Sequence, residues 1–105
     1  MKLLFVHQNM PGQYRELVQW LAATGQHEIV FLTQRTNAPE FAGVRTVKYR
    51  THHKAGDDAY ALSKTWENAA GNGFAAAQAV QQMVAGGFVP DIVIGHVGWG
   101  EMSFL

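Results

Sequence analysis

Lys2-Leu3-Leu4-Phe5-Val6-His7-Gln8-Asn9-Met10-Pro11-Gly12-Gln13 sets the architecture of the chain. Leu3 to Val6 is an unbroken apolar run, the pattern of a strand buried on both faces in the middle of a parallel sheet. Asn9, Pro11 and Gly12 then break the strand. Pro11 suits a first helical turn, and Gly12 lets another group approach the backbone. From Gln13 the spacing is helical, with Tyr14, Leu17, Val18, Leu21 and Ala22 on one apolar face and Gly25 as the stop. Strand, tight loop, helix leaves unpaired backbone N–H groups at the carboxyl end of a central strand, where anions bind.

Working outward, residues 27–33 read as a second buried strand. A polar link, Gln34 to Gly43, leads to residues 44–49, whose apolar–polar alternation predicts a third strand with one wet face near a sheet edge. The link is short for a parallel crossover, but parallel pairing is still expected. Asp57 or Asp58 is placed to cap a long helix, with Leu62, Trp66, Ala69, Ala70, Gly73, Ala77, Val80 and Val84 as its apolar face and Gly86-Gly87 as its end. Gly71 and Gly73 each cost that helix about 1 kcal/mol relative to Ala, and mark a kink or a close approach to the sheet. Trp20 and Trp66 are expected to pack in the core. Asp91 to His96 is a fourth strand, and Glu101 to Leu105 reads as the opening of another helix.

The expected fold class is therefore α/β, a Rossmann-like three-layer α/β/α arrangement with a mainly parallel four-stranded sheet. Right-handed crossovers give the order 3-2-1-4. The order reverses between the first and fourth strands, so a crevice opens there, lined by the loops His7 to Gln13 and His96 to Glu101. The last helical pattern breaks off at Leu105, so residues 1–105 are expected to form one domain that is incomplete at its carboxyl end.

Composition narrows the possible functions. At 105 residues there is room for one domain, and 48% hydrophobic with 15% charged residues is a globular balance. Zero formal net charge argues against general nucleic-acid affinity, which needs Lys and Arg to neutralise phosphates. The absence of cysteine removes disulfides and thiolate metal sites. No stretch reaches the roughly 18 apolar residues of a membrane span, and the amino-terminal run is too short for a signal peptide. The expected location is cytoplasmic, with peripheral membrane contact as a further expectation.

Within the crevice, Gly12 and the N–H groups of Gln13 and Tyr14 are candidates for phosphate; the alternative is a plain strand-to-helix turn. His96 can hydrogen-bond a sugar hydroxyl or stabilise charge as a donor bond breaks; otherwise it is a satisfied polar group at a strand end. His7 lies at the neighbouring strand end. Two histidines with Glu101 would be a conceivable metal set, but no ligand spacing supports it, so no metal is expected. Trp99 can stack on a sugar ring or pack beneath other parts of the domain. Gly98 and Gly100 lack the third glycine of a dinucleotide fingerprint, since Ser103 stands in its place. Glu101 can orient His96 or an acceptor hydroxyl, or simply favour a helix dipole. Arg35, Arg45, Lys48, Arg50 and Lys54, with His52 and His53 beside them, make a basic middle section, either an anion-binding face or the solvated side of an edge strand.

Residues 3–33 and 87–105 also resemble the N-terminal domain of family 4 glycosyltransferases, retaining enzymes of two Rossmann-like domains (the GT-B architecture). The likeness is closest to the subgroup with a His-Gln-Asn-like first loop and a Gly-Trp-Gly-Glu loop after the fourth strand. It implies transfer of a sugar, of hexosyltransferase type, from a nucleotide-sugar donor to a carbohydrate or lipid-linked acceptor. The nucleotide-sugar would be a substrate, and no cofactor is implied. Pro11 and Gly12 match the family's Pro-Gly facing the donor phosphates. Gln13 stands where many members have a second glycine. His96 matches the histidine that reaches the donor sugar, a supporting catalytic role. His7, Gly12, Gln13, Trp99, Gly100 and Glu101 would then bind substrate. A second domain, absent here, would carry most nucleotide contacts, so these residues alone are expected to be inactive. The competing reading is a stand-alone Rossmann-like binding module for a small phosphorylated ligand. In either case the bare edge of the fourth strand and the Phe104-Leu105 end are expected to self-associate.

Overall fold

The computed structural model describes residues 1–51 and 54–105. The chain runs β1 (Lys2–Val6), a short 3₁₀ turn (Gly12–Tyr14), α1 (Arg15–Ala23), β2 (Glu28–Thr33), β3 (Val44–Lys48), α2 (Ala61–Ala85) and β4 (Ile92–Gly95). The four strands form one sheet in the order β3-β2-β1-β4, and every pair is parallel. The ten-residue link between β2 and β3 thus makes a parallel crossover without a helix.

Alternation along the central strands divides the core. Leu4, Val6, Val30 and Leu32 face α2, where Ala75, Ala76 and Met83 meet them. Leu3, Phe5, Ile29 and Phe31 face the other way, against Val18 of α1 and Met10 of the first loop. The consecutive run Leu3–Val6 is at most 3% exposed, the two-sided burial that a central parallel strand requires. β3 leaves Arg45 and Lys48 exposed and half-buries Val44, Thr46 and Val47, as befits an edge strand. β4 is the other edge, and Ile92, Phe104 and Leu105 are exposed beside it.

The helices differ from the sequence expectation in detail. α1 buries Val18 fully, but Leu17 lies on its exposed side and Trp20 is 66% exposed, so Trp20 is not core. Its end is as read: the Thr24 hydroxyl donates to the Leu21 carbonyl and Gly25 takes a positive φ. α2 begins later than Asp57 and Asp58 would place it. Tyr60 is its N-cap, with no side-chain capping bond. Its inward face is Asn68, Asn72, Gly73, Ala75, Ala76, Ala79, Val80 and Met83: Gly73 and Val80 lie on it as expected, while Leu62, Trp66, Ala70 and Val84 do not. Leu62, Trp66 and Phe74 are left 62–77% exposed. Small residues are what let the helix approach: a Cβ on Gly73 would come within 2.6 Å of the Gly100 carbonyl oxygen. After β4 the chain forms successive turns rather than a helix, closed by Ser103 N–H to Gly100 O and Leu105 N–H to Met102 O. No helix among the described residues is long and apolar enough to cross a membrane.

Candidate functional site

β1 and β4 are parallel neighbours, so their outgoing turns leave from the same end of the sheet. His7 and His96 each continue the ladder by one bond, from His7 N–H to Leu32 O and from His96 N–H to Val6 O. The two imidazoles therefore stand side by side, with ring centroids 5.5 Å apart. Trp99 completes the group, lying over His96 at 4.6 Å and meeting His7 edge-on at 5.5 Å. Tyr14 adds an edge contact to His7 at 6.0 Å.

Each imidazole is fixed by the turn that follows it. Asn9 N–H donates to His7 Nδ1, and Gly98 N–H donates to His96 Nδ1, both at 3.0 Å. A backbone N–H can only donate, so each Nδ1 is an acceptor and each ring carries its proton on Nε2. The half-exposed His96 thus presents a hydrogen-bond donor, suited to a hydroxyl or phosphate oxygen, whereas His7 is 6% exposed and has its Nε2 beneath Gly12. A glycine covers each ring. A Cβ on Gly12 would sit 2.3 Å from His7 Nε2, and one on Gly98 would sit 2.3 Å from His96 Cε1. Gly12 also has φ +53°, a conformation that side chains resist. Burial lowers the pKa of His7, and His96 acts in the same direction; the Gln13 side chain and the Glu101 carboxylate act against it.

The first loop offers fewer free donors than the sequence suggests. Asn9 N–H is spent on His7, Met10 N–H on the Thr33 hydroxyl, Gly12 N–H on Asn9 O and Tyr14 N–H on Pro11 O. Pro11 has none, so the N–H groups of Gln8 and Gln13 remain in this loop for an anion.

Glu101 is 1% exposed, and its hydrogen bond goes to Tyr49 rather than to His96. Its Oε1 accepts from the Tyr49 hydroxyl at 2.7 Å, and its Oε2 has no hydrogen-bond partner among the described residues. Burial, then the bond to Glu101, raises the Tyr49 pKa beyond the usual phenol range. Gly100 serves packing: with φ +96°, its missing Cβ would fall 2.1 Å from the Ala69 carbonyl oxygen. Trp99 remains 40% exposed, and its carbonyl accepts from Asn72 Nδ2.

Sequence reasoning missed two supports of the site. One is Tyr49, whose place in the apolar phase of β3 hinted at burial but not at a carboxylate partner. The other is Thr33, the last residue of an apolar strand and fully buried. Of the basic residues, Arg35 donates to the Met10 carbonyl and Lys48 Nζ to the Thr36 carbonyl. His52 and His53 lie outside the described residues. Among the described residues no cluster of three or more His, Asp or Glu converges as a metal site would. A hollow of about 700 Å³ lies at the opposite, amino end of β2 and β3, far from the ring cluster.

A parallel sheet whose order reverses between two histidine-bearing strand ends defines a Rossmann-like α/β domain. Residues 25–105 match the model of the glycosyl transferase family 4 group, and the chain belongs to that family. Its role is therefore in glycosyl transfer. The matched segment includes His96, Trp99, Gly100 and Glu101; His7, Gly12 and Gln13 precede it. No curated protein and no solved structure matches the chain.

Proposed function

We propose that this chain is the acceptor-side Rossmann-like domain of a two-domain, retaining glycosyltransferase. The reaction moves a sugar from a nucleotide-sugar to a carbohydrate or lipid-linked acceptor. The observation that carries this reading is the cluster of His7, His96 and Trp99 at the strand-order reversal. The His96 Nε2–H beside a half-exposed indole, backed by the buried His7 ring, is a chemically apt surface for a pyranose, with hydroxyls at its rim and C–H groups on its face. His96 reaches the donor sugar, and the Gln13 N–H and Gly12 face its phosphates. Glu101, tied to Tyr49, holds the turn that carries Trp99. A second domain supplies the opposite wall of the cleft and most nucleotide contacts. The reading places no metal or other cofactor in this domain.

Titration of the chain with nucleotide-sugars, followed by NMR, tests this. The Trp99 indole and the His7 and His96 rings should shift, with weak affinity because one wall of the cleft is missing. His96→Ala should remove the sugar-dependent part of the shift while leaving the fold intact. Shifts confined to the amino-end hollow around His27 and Arg45, or none at the rings, would defeat the reading.

A further inference from the structure

β3 and β4 are the two edges of the sheet, with β2 and β1 between them. At a strand spacing of about 4.8 Å, the edges lie roughly 14 Å apart. One hydrogen bond between side chains spans that distance at the carboxyl end. Tyr49, directly after β3, donates its hydroxyl to Glu101 Oε1 in the turn after β4, at 2.7 Å. The Tyr49 N–H is held by the Thr33 carbonyl, and its side chain lies on the α2 face of the sheet with Val6 and Leu32. Both partners are buried, so the bond runs through the interior, across the ends of β2 and β1.

As a source of stability this bond is a poor choice. A buried carboxylate needs most of its acceptor sites filled to offset its desolvation. Oε1 has the Tyr49 hydroxyl, but Oε2 is buried without a hydrogen-bond partner among the described residues. An apolar pair of similar size would fold at least as well. A packing rule broken at the sheet end where the ring cluster stands points to a task other than stability. The turn shows what that task is. Trp99 and Gly100 directly precede Glu101. Gly100 abuts Ala69, and Asn72 Nδ2 holds the Trp99 carbonyl, so α2 fixes the turn from the helix side. Tyr49 fixes it from the far edge of the sheet.

We propose that Tyr49 is a positioning residue of the ring cluster. Acting through Glu101, it sets the turn after β4 so that Trp99 lies over His96 at 4.6 Å. The half-bonded carboxylate is retained for that placement and not for stability. The inference rests on the glycosyltransferase reading above for its ligand, but the ring geometry it explains is measured without one.

A double-mutant cycle of Tyr49→Phe, Glu101→Met and both together tests it. In all three variants, nuclear Overhauser contacts between the Trp99 and His96 rings should be lost. Affinity for a panel of UDP- and GDP-hexoses, followed at the Trp99 indole, should fall by about tenfold. The double variant should lose no more than either single one, because the two residues act as a unit. Stability should follow a different order. Tyr49→Phe strands a buried carboxylate and should lower Tm by roughly 10 °C, whereas the double variant should melt at or above the parent. Glu101→Gln keeps an acceptor for the Tyr49 hydroxyl and should restore most of the ring contacts and the affinity. A double variant that keeps the Trp99–His96 contacts would overturn the inference. So would one that melts well below the parent, since the pair would then serve stability, and so would additive losses of affinity. If the parent Trp99 indole ignores every nucleotide-hexose while the ring contacts respond as expected, the glycosyltransferase reading fails and the positioning role stands.

Discussion

The turns after β1 and β4 solve the same problem by opposite means. Both take a histidine at a strand end, bond its Nδ1 to the N–H two residues on, and lay a glycine against the ring. The β1 turn is then closed from within. Thr33 takes N–H groups from Met10 and Arg35 and donates to the Gln8 carbonyl, and Arg35 donates to Met10 O. His7 ends only 6% exposed. The β4 turn is held from outside, by Gly100 against Ala69 and by Asn72 on Trp99 O. His96 stays half-exposed. One histidine is a buried wall and the other stays accessible at the crevice, and the difference comes from which element each turn leans on.

The largest effect should come from forcing the β4 turn off its helix. Gly100→Ala places a methyl 2.1 Å from a backbone oxygen in a helix that cannot yield, at φ +96°. Overpacking and backbone strain together should cost about 3–5 kcal/mol, lowering Tm by roughly 10 °C or more in a domain of this size. The Trp99 environment should change with it, read by near-UV circular dichroism. Gly12→Ala strikes the β1 turn more mildly, because the obstacle is a side chain. Expelling the His7 ring at φ +53° should cost about 2–3 kcal/mol. Loss of the His7–Trp99 contact in NMR, with the His96–Trp99 contact retained, would separate the two turns.

The same contrast governs what could be read in advance. Strand positions, parallel pairing and the order 3-2-1-4 followed from apolar runs and crossover handedness, and so the meeting of His7 with His96 did too. The phase of α2 followed only in part, at Gly73 and Val80. Periodicity weighs large apolar residues, and here Leu62, Trp66 and Phe74 point outward while Gly73, Ala75 and Ala76 meet the rest of the domain. In a helix packed by smallness, size misleads. Weighing size also passed over Asn68 and Asn72, which bond to the segments that follow β3 and β4. The Tyr49–Glu101 bond joins distant turns and leaves no local trace.

Thr33→Val sharpens the comparison by removing the internal closure of the β1 turn with little change in volume. Three bonds to backbone groups vanish, and the expected cost is about 2–3 kcal/mol in denaturant unfolding. Affinity at the β4 side should be nearly unaffected, since no bond from Thr33 reaches that turn.

The smallest effect is a pH dependence of stability assigned to His7. Its pKa is lowered on folding, chiefly by burial. The unfolded chain, with a value of about 6.5, therefore binds the proton more readily than the native protein. Stability from this group is complete above that value and is lost as pH falls through the lowered native pKa. Protonating the ring also places a proton on Nδ1, where Asn9 N–H now donates, so charge and turn geometry oppose each other. Denaturant unfolding between pH 7.5 and 5 should show this slope. The difference between the parent chain and His7→Gln isolates it from the other histidines. An unchanged slope in the variant would mean that His7 is no more buried, and its turn no more closed, than that of His96.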